Sequence, residues 1–568
     1  MDCKKCAILW ILIAVAAVAI TLGLVFGLRK SEERQIGAVA SNGAGCAEIG
    51  GHMLEIGGSA ADAAIATMLC EGVVLPHSLG VGGGFMATVF SKETGRVETL
   101  VARETAPAAA YRDMFVNMST VTGALSVAVP SEIYGYWKLH DKYGKLPWET
   151  LFRPTIEMCR HGIIVSRYVA RVLTLHEEVI MAEPSMAEIF VNPYTNELYK
   201  EGEIMYRRIL ADTLEVIATE GPKVIYRGGR IGRMLVEDIQ SMGGIVTEQD
   251  LQQYDVRWEK PLRAVFSNGH ELYTSPLPSS GAVLIFILNV MESMYTSSRD
   301  KYWHRVVETF KHAYGHRTNL GDIHFEPSVR ETYDKLTDPE FAAEIRKLIR
   351  DDRTFTDMAY YGANFTNEED HGTAHISVLA PNGDAVSVTS TINSHFGAKV
   401  RSRQTGFILN DQMDDFSTPG VINTYGIPAS PANYIQPGKR PMSSTCPSIV
   451  LDSKGNVNLV VGGAGGSRIT TSVAQTILRY FVLRESVEDA VNAGRIHHQL
   501  APMVVDVELD VPKHTTHHLM YVGHELNYLQ ENKAYSSVTA IGDMDTEPFP
   551  VCDHRRVGSA VVVEPIVD

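Results

Sequence analysis

The sequence has little that would suit a nucleic-acid-binding protein or a metalloenzyme. Its 51 lysines and arginines are outnumbered by 67 aspartates and glutamates, which gives a formal net charge of −16. A nucleic-acid binder normally carries the opposite balance. There is no HExxH motif, and His371 and His375 have no further ligands at zinc spacing. We therefore expect no nucleic-acid partner, no metal and no cofactor.

Cysteine is also scarce, with seven residues in 568. Cys3 and Cys6 flank an apolar run, where palmitoylated and unmodified thiols are equally expected. Cys46 and Cys70 bracket a helix-like stretch and could pair in an oxidising compartment. The other cysteines have no evident partner: Cys159, Cys446 and Cys552.

Long hydrophobic runs are absent after the first thirty residues. The one such run, from Cys6 to Leu28, contains no charged residue. Roughly 20 apolar residues in a helix suffice to cross a bilayer, so we predict a transmembrane signal-anchor at 6–28 after a cytoplasmic segment at 1–5. A cleaved signal peptide is the alternative, but its apolar region is usually shorter.

Charge does not decide which side of the membrane the globular part lies on, because basic residues both precede the run (Lys4, Lys5) and follow it (Arg29, Lys30, Arg34). Two sequons, at Asn117 and Asn364, suit glycosylation on the extracellular side. We expect a single-pass type II protein of the plasma membrane, with its globular part outside the cell.

No internal repeat or low-complexity tract divides the remainder. Ser59 can cap an alanine-rich helix, and a glycine run at 80–85 leads into two strand-like stretches. The middle, roughly 129–350, has apolar residues at helical spacing. Strands return after Asn364, and a helix is predicted from about Ile469. This order predicts an α+β fold of sheets covered by helices, not a Rossmann alternation.

Gly372 and Thr373 stand at the start of a predicted hairpin and suit self-cleavage. The threonine hydroxyl can attack the preceding carbonyl, and glycine permits the backbone geometry that the attack requires. The released Thr373 would have a hydroxyl nucleophile and its own α-amine as base, with a pKa of about 8. A threonine at this position is, on spacing alone, more often only a good strand former.

The hairpin is predicted from the alternation of TAHISVLA and AVSVTSTIN around Asn382-Gly383. A two-residue loop there places Thr391 opposite Ala374, beside Thr373. A bulge or an additional loop residue would change the face on which Thr391 lies.

The segment GGAGGS at 462–467 lies between a predicted strand and a predicted helix. It lacks the GK[ST] of a phosphate-binding loop and the third glycine of GxGxxG. Its backbone N–H groups are candidates for an oxyanion hole, which acyl transfer requires.

The motifs together resemble the gamma-glutamyltransferase family of N-terminal-nucleophile hydrolases. TAHISVLAPNGDAVSVTSTIN, GFILNDQMDDF, KRPMSSTCPSIV and VVGGAGGSRI are similar to its small subunit. EIGGSAADAAIATMLC, HSLGVGGGF and ARETAP are similar to its large subunit, in the same order. The similarity covers nearly all of the chain after the anchor. It implies a four-layer αββα sandwich.

The resemblance also implies roles, residue by residue. Thr373 corresponds to the nucleophile, Thr391 to its supporting threonine, and Gly465 and Gly466 to the oxyanion hole. The residues implied at the substrate carboxylate are Arg103, Ser443 and Ser444. Those implied at the substrate amino group are Asn393, Gln412 and Asp415. Cys46 and Cys70 correspond to a family disulfide.

The chain departs from the family in two respects. Position 412 is Gln, where vertebrate members often have Glu, and this removes one negative charge near the amino group. A cysteine pair of some vertebrate large subunits has no counterpart near residues 180–195.

The resulting hypothesis is a precursor cleaved into a large chain, with ectodomain 29–372, and a small chain, 373–568, held together as one heterodimer. It would transfer γ-glutamyl groups from glutathione and related donors to water or to amino acid and dipeptide acceptors. A self-processing amidase that only hydrolyses, and an uncleaved membrane protein that binds a partner, are the alternatives.

Overall fold

A computed structural model of the chain describes residues 36–363, 372–420, 429–530, 536–544 and 547–564. The predicted anchor at 6–28 lies outside these ranges, as do Asn364 and His371. Within them, no helix combines the length and the apolar character that crossing a bilayer requires.

β-Strands occur from the start to the end of the described ranges. They are β1 (Gly37–Ser41), β2 (Gly84–Ser91), β3 (Arg96–Ala102), β4 (Ile163–Ile164), β5 (Val191–Asn192), β6 (Glu197–Leu198), β7 (Ile204–Met205), β8 (Arg257–Glu259), β9 (Leu262–Val265), β10 (Glu271–Thr274), β11 (Gly372–Leu379), β12 (Ala385–Asn393), β13 (Ser448–Leu451), β14 (Val457–Ala464), β15 (Ile496–His497), β16 (Val505–Val507), β17 (Leu526–Tyr528), β18 (Ser537–Gly542), β19 (Phe549–Cys552) and β20 (Ser559–Val563).

Two large antiparallel sheets take strands from both ends of the chain. One has the order β20-β1-β11-β12-β2-β3-β8, and the other has the order β19-β18-β14-β13-β10-β9. In the first sheet β11 and β12 lie between β1 and β2, so strands from either side of residue 372 alternate. Both sheets therefore contain strands from before and after residue 372.

Helices occupy most of the sequence between these strands. In chain order they are α1 (Cys46–Glu55), α2 (Ala60–Val74), α3 (Glu132–Tyr143), α4 (Trp148–His161), α5 (Arg167–Leu175), α6 (Glu177–Ala182), α7 (Pro184–Phe190), α8 (Arg208–Glu220), α9 (Lys223–Tyr226), α10 (Arg230–Ser241), α11 (Glu248–Gln253), α12 (Gly281–Met291), α13 (Arg299–Arg317), α14 (Arg330–Thr337), α15 (Pro339–Leu348), α16 (Arg468–Phe481), α17 (Val487–Asn492) and α18 (Lys513–Tyr521).

The two sheets face each other, and helices cover their outer sides. Ala38 and Phe90 of the first sheet share a buried cluster with Ile449 and Val460 of the second. A second core joins α1, α2 and α4 to the outer face of the first sheet, and a third joins α12, α13 and α16 to the second sheet. The α+β class predicted from the sequence is confirmed.

Helix α2 begins where the sequence predicts. The Ser59 hydroxyl accepts a hydrogen bond from the backbone N–H of Asp62, and the Asp62 carboxylate accepts one from the N–H of Ser59. This reciprocal cap satisfies two donors that would otherwise be unpaired at the helix start. A disulfide then joins Cys70 of α2 to Cys46, the first residue of α1, which fixes the two helices on the sheet.

Removal of this disulfide should lower stability measurably. The bond links residues 24 apart, and a loop of that length contributes about 3 kcal/mol by constraining the unfolded chain. We expect the Cys46→Ala/Cys70→Ala variant to melt at a lower temperature than the parent in differential scanning calorimetry. Cys552→Ala, which removes a free cysteine, is the control. Equal melting of the double variant and the parent would contradict the stabilising role.

The register of the β11–β12 hairpin differs from the sequence prediction. Thr391 pairs with Thr373 itself, and Ala374 pairs with Ser390. The prediction that Thr391 lies opposite Ala374 was wrong because the loop has three residues, 381–383, closed by Ala380 N–H donating to Asp384 O at 2.8 Å. Gly383 takes the left-handed conformation (φ 86°) that ends this type of loop.

Candidate active site

The predicted nucleophile lies at the beginning of the central strand β11. Thr373 is fully buried, and its Oγ1 donates a hydrogen bond to Oγ1 of Thr391 at 3.2 Å. The observed register produces this contact, because residues directly opposite each other in an antiparallel pair project to the same face.

Thr391 also contacts the peptide bond that precedes the nucleophile. Its hydroxyl donates to the carbonyl oxygen of Gly372, and its oxygen accepts the backbone N–H of Asn393 at 2.9 Å. A donor at a carbonyl oxygen draws electron density from the carbonyl carbon and stabilises the charge that an attack would create there. The Thr391 hydroxyl therefore contacts both Thr373 Oγ1, the predicted attacking atom, and the Gly372 carbonyl group that Thr373 would attack.

Gly372 is placed where a larger residue would not fit. A Cβ at this position would lie 2.4 Å from the carbonyl oxygen of Asn393 and 2.7 Å from the backbone of Ser394. The register shifts between Gly372 and Thr373, which marks a local irregularity of the ladder. Glycine thus allows close approach of β12 at the predicted cleavage point.

The glycine pair lies at the junction of β14 and α16. Gly465 has φ 119° and Gly466 has φ 61°, which are values that glycine adopts far more readily than other residues. A Cβ on Gly465 would lie 2.6 Å from the Cα of Ser536. Strand β14 packs against β11, with Gly462 against the ring of His375, so the pair follows a strand that contacts the nucleophile's strand.

A cation and an anion meet where the substrate's α-carboxylate and α-amino groups are predicted to bind, which we call the head-group site. Arg103 is almost fully buried, and its Nη2 pairs with a carboxylate oxygen of Asp415. The Gln412 side-chain amide donates to the same oxygen at 2.6 Å. Asp415 and Gln412 belong to one short 3₁₀ turn, Gln412–Asp415. The structure thus brings together three residues predicted to bind the substrate.

Asn393 links this turn to the nucleophile. Its Nδ2 donates to Asp411 O at 3.2 Å and to a carboxylate oxygen of Asp414 at 3.4 Å. Its φ of 75° is left-handed, a conformation that asparagine tolerates better than most residues. Since Asn393 N–H also contacts Thr391, one residue spans from the nucleophile's partner to the turn that carries Asp415.

Ser443 and Ser444, the two serines predicted to bind the substrate carboxylate, directly follow a backbone segment that Arg103 contacts. Arg103 Nη2 donates to the carbonyl of Met442 at 3.1 Å, immediately before Ser443. The Ser443 hydroxyl donates to Thr445 Oγ1 at 3.1 Å, and Ser444 Oγ accepts from Arg317 at 3.0 Å. Both serines are buried. All the predicted substrate residues therefore lie on segments that are in contact, while the Ser443 and Ser444 hydroxyls have protein partners of their own.

Comparison with known proteins decides the family. The family model described as gamma-glutamyltranspeptidase matches residues 46–563. The chain belongs to the gamma-glutamyltranspeptidase family.

Individual relatives are similar in sequence over most of the chain. It is 42% identical over 498 residues to scoloptoxin SSD14 of Scolopendra dehaani, covering 86% of each chain. It is 38% identical over 527 residues to glutathione hydrolase 3 of Arabidopsis thaliana, covering 90% of this chain and 81% of that protein. The solved gamma-glutamyltranspeptidase of Helicobacter pylori is 32% identical, with a TM-score of 0.52, and the match covers 55% of this chain and 91% of that chain.

Several residues that contact the site were not predicted from the sequence. Asn433 donates to the backbone carbonyl of Asp415 at 2.7 Å and accepts from the N–H of Met442 at 3.1 Å, which joins the two sides of the head-group site. Arg317 holds Ser444, and Arg556 donates to the carbonyl of Thr373 at 2.6 Å. No local pattern marks these residues, because their partners are distant in sequence.

Burial shifts the titration of acidic groups near the site. The carboxyl of Glu104 lies 3.9 Å from Arg103, and burial raises the pKa of Glu104 to about 8. Burial likewise raises the pKa of Asp411 to about 7, although Lys399 opposes the change. The pKa values of these two carboxyl groups therefore lie near neutral pH, whereas burial lowers the pKa of the His375 ring to about 3.

A group with metal-ligand geometry occurs elsewhere among the described residues. Ligand atoms of His304, Glu308 and His524 lie within 4.8 Å of one another. Each already has a protein partner: the two rings share a 2.9 Å contact, and Glu308 accepts from Thr354 at 2.6 Å. The expectation of no metal stays a prediction.

Proposed function

We propose that the chain cleaves itself between Gly372 and Thr373 and then transfers γ-glutamyl groups through an ester on Thr373. The observation that carries the proposal is the Thr391 hydroxyl, which contacts both Thr373 Oγ1 and the Gly372 carbonyl oxygen. Thr373 Oγ1 attacks the Gly372 carbonyl carbon, and the peptide becomes an ester as the nitrogen leaves and takes a proton. Water then opens the ester and leaves a free α-amine on Thr373.

In the second reaction the released amine accepts the proton of the Thr373 hydroxyl as the oxygen attacks the γ-carbonyl of the donor. The backbone N–H groups of Gly465 and Gly466 stabilise the oxyanion. The amine of the leaving group takes the proton, and the γ-glutamyl ester remains on Thr373. Water or the amine of an amino acid or dipeptide then attacks that ester and regenerates the enzyme.

The head-group site suits one end of an α-amino acid. Arg103 and Asp415 form an ion pair with each other. A bound glutamyl group can replace this pair with two new ones, its carboxylate against Arg103 and its ammonium against Asp415, so that no charge is left buried and unpaired. Ser443, Ser444, Gln412 and Asn393 supply polar atoms around the two groups. Glutathione carries this head group, and relatives are named glutathione hydrolases.

The interleaved sheets support a heterodimer of large and small chains. After cleavage at 372/373, β11 and β12 of the small chain remain hydrogen-bonded between β1 and β2 of the large chain. The two facing sheets with outer helices are consistent with the four-layer αββα sandwich of N-terminal-nucleophile hydrolases. We take 29–372 and 373–568 as the two parts of one globular ectodomain, and Asn117, which is exposed, as a glycosylation site together with Asn364.

The assay for this function is chromophore release from a γ-glutamyl anilide, with and without glycylglycine. We expect release by water alone and faster release with the acceptor. The N-acetylated anilide is the matched control, because its blocked amine cannot pair with Asp415. Equal rates with and without glycylglycine would favour the hydrolysis-only amidase, and absence of release from the unblocked anilide would favour the non-catalytic membrane protein.

We also propose that residues 6–28 anchor the enzyme in the plasma membrane, with the catalytic part outside, because the run is uncharged and long enough to span the bilayer. Replacing residues 1–30 by a cleavable secretion signal should release active enzyme into the medium. The full chain, expressed in parallel, should remain in the membrane pellet. Loss of activity from a folded, secreted product would contradict a purely tethering role.

A further inference from the structure

We propose that Arg556 is a positioning residue for the base of this reaction: it holds the carbonyl of Thr373 and, by its charge, keeps the released α-amine of Thr373 unprotonated at neutral pH. This inference rests on the proposed function, since it concerns the amine that cleavage creates.

The contact is direct and buried. Arg556 lies in the segment between β19 and β20, 183 residues from Thr373, and its Nη1 donates to the Thr373 carbonyl oxygen at 2.6 Å. The residue is about 5% exposed. Its guanidinium lies over the ring of Tyr168, 5.2 Å from the centroid, and its backbone N–H donates to Asp553 O at 3.1 Å. The side chain is thus fixed from two sides.

The Arg556 guanidinium lies close to the amine because the nitrogen and the carbonyl oxygen of Thr373 belong to the same residue. The nitrogen and the carbonyl oxygen of one residue are separated by about 3 Å, because only the Cα and the carbonyl carbon lie between them. A cation bonded to the oxygen therefore lies roughly 4–6 Å from the nitrogen. At that range a like charge disfavours the ammonium form, and a shift of about one pH unit is the scale expected.

Other titratable groups near this position offset only part of the effect. Glu71, on α2, interacts with Arg556, and burial raises the pKa of Glu71 to about 7, so at neutral pH its carboxyl carries only part of a negative charge against the full charge of the guanidinium. His77, after α2, also interacts with Arg556, and burial holds its pKa well below the usual range. His375, two residues along β11, is uncharged for the same reason.

Further titratable groups lie beyond the end of β12. Lys399 lies 3.4 Å from Asp411, whose pKa burial raises to about 7, so the negative charge opposite Lys399 is incomplete at neutral pH. The ring of His395 packs edge-on against His77, with centroids 5.4 Å apart. Thr391, which pairs with Thr373, and Asn393, which pairs with Gly372, have no titratable side chain. The hydrogen bond from Arg556 to the Thr373 carbonyl oxygen brings a full positive charge close to the amine.

A purely structural clamp would give a different result from an electrostatic one. Loss of a clamp lowers activity equally at all pH values. Loss of the charge raises the pKa of the amine, so the acidic limb of the pH profile, where the base becomes protonated, moves to higher pH. The α-amine of the γ-glutamyl donor also titrates, but its contribution is the same for all variants because the same donor is used throughout.

The test is kcat/KM against pH for a γ-glutamyl anilide in the wild type, Arg556→Met and Arg556→Lys. We expect the acidic limb of Arg556→Met to move up by about one pH unit, and that of Arg556→Lys, which keeps the charge, to stay within about 0.3 unit. Arg403→Gln, which removes an exposed charge, should leave the limb unmoved. An unmoved limb in Arg556→Met, or equal shifts in the Met and Lys variants, would overturn the proposal.

A second measurement covers the case in which Arg556→Met is not cleaved. The rate of carbamoylation by cyanate of the wild-type small chain's terminal amine, followed by mass spectrometry against pH, reports the pKa of that amine. A value at or above the ordinary ~7.7–8 overturns the proposal. Because burial of Thr373 also lowers this pKa, the same labelling is done on Arg556→Lys and on any cleaved Arg556→Met: the proposal expects the wild-type value in the first and a higher value in the second, and equal values in all three overturn it. Failure of the proposed function itself would look different, because the wild type would then have no Thr373 terminus to label.

Discussion

Thr373→Ala should yield a single, uncleaved chain with no detectable γ-glutamyl transfer. The substitution removes the hydroxyl that contacts Thr391, and with it both the attack on Gly372 and the later attack on the donor. Without cleavage the α-amine is also never released. Denaturing electrophoresis and anilide turnover measure the two effects, and we expect a fall in activity to background.

Thr373→Ser is the matched control for this result. It keeps the hydroxyl but loses the methyl group that restricts rotation of the side chain, so we expect slower cleavage and reduced, measurable turnover. Cleavage by an outside protease would tolerate the alanine variant. Two chains in Thr373→Ala would contradict self-cleavage, and full activity in that variant would also remove Thr373 as the nucleophile.

Arg103→Ala should raise the KM of the γ-glutamyl donor by roughly 30- to 1,000-fold, which corresponds to about 2–4 kcal/mol for a buried, charge-assisted contact. The variant also leaves Asp415 without its cation, which adds to the cost. Arg103→Lys should restore little, because an ammonium group cannot reproduce the planar fork of a guanidinium.

Arg96→Ala is the control for this pair, since Arg96 is exposed at the start of β3, whereas Arg103 directly follows the buried end of that strand. Thermal unfolding of all three variants separates loss of binding from loss of fold. An unchanged KM in both Arg103 variants would place Arg103 outside the substrate site.

Features set by neighbouring residues were predictable from the sequence. The cap of α2 needs only Ser59 and a carboxylate three residues later, and the β11–β12 hairpin needs only alternation around a turn. The start of α16 near Ile469 was predicted to within one residue, since the helix begins at Arg468. In each case the interactions that form the element lie within a few positions of one another.

The predicted register of the β11–β12 hairpin was wrong for a physical reason. Asn382-Gly383 favours a two-residue loop, but the chain closes a three-residue loop with Gly383 in the left-handed conformation. One additional residue changes every cross-strand pair. The face-to-face position of Thr373 and Thr391 therefore had to come from the structure, although the resemblance already paired their roles.

Contacts between distant segments had no signal in the sequence. Arg103 and Asp415 are 312 residues apart, and only resemblance to the family placed them in one site. Arg556 and Asn433 were missed altogether, because an isolated arginine or asparagine in a loop resembles many solvent-exposed residues. Their importance follows from what they contact, namely the backbone of Thr373, Asp415 and Met442.

The most direct test of the whole interpretation is the N-terminal sequence, or the intact mass, of the small chain purified from the wild-type protein. Self-cleavage at Gly372/Thr373 predicts a chain that begins Thr-Ala-His-Ile-Ser. A single chain of full length in an active preparation, or a small chain that begins at any other residue, would contradict it.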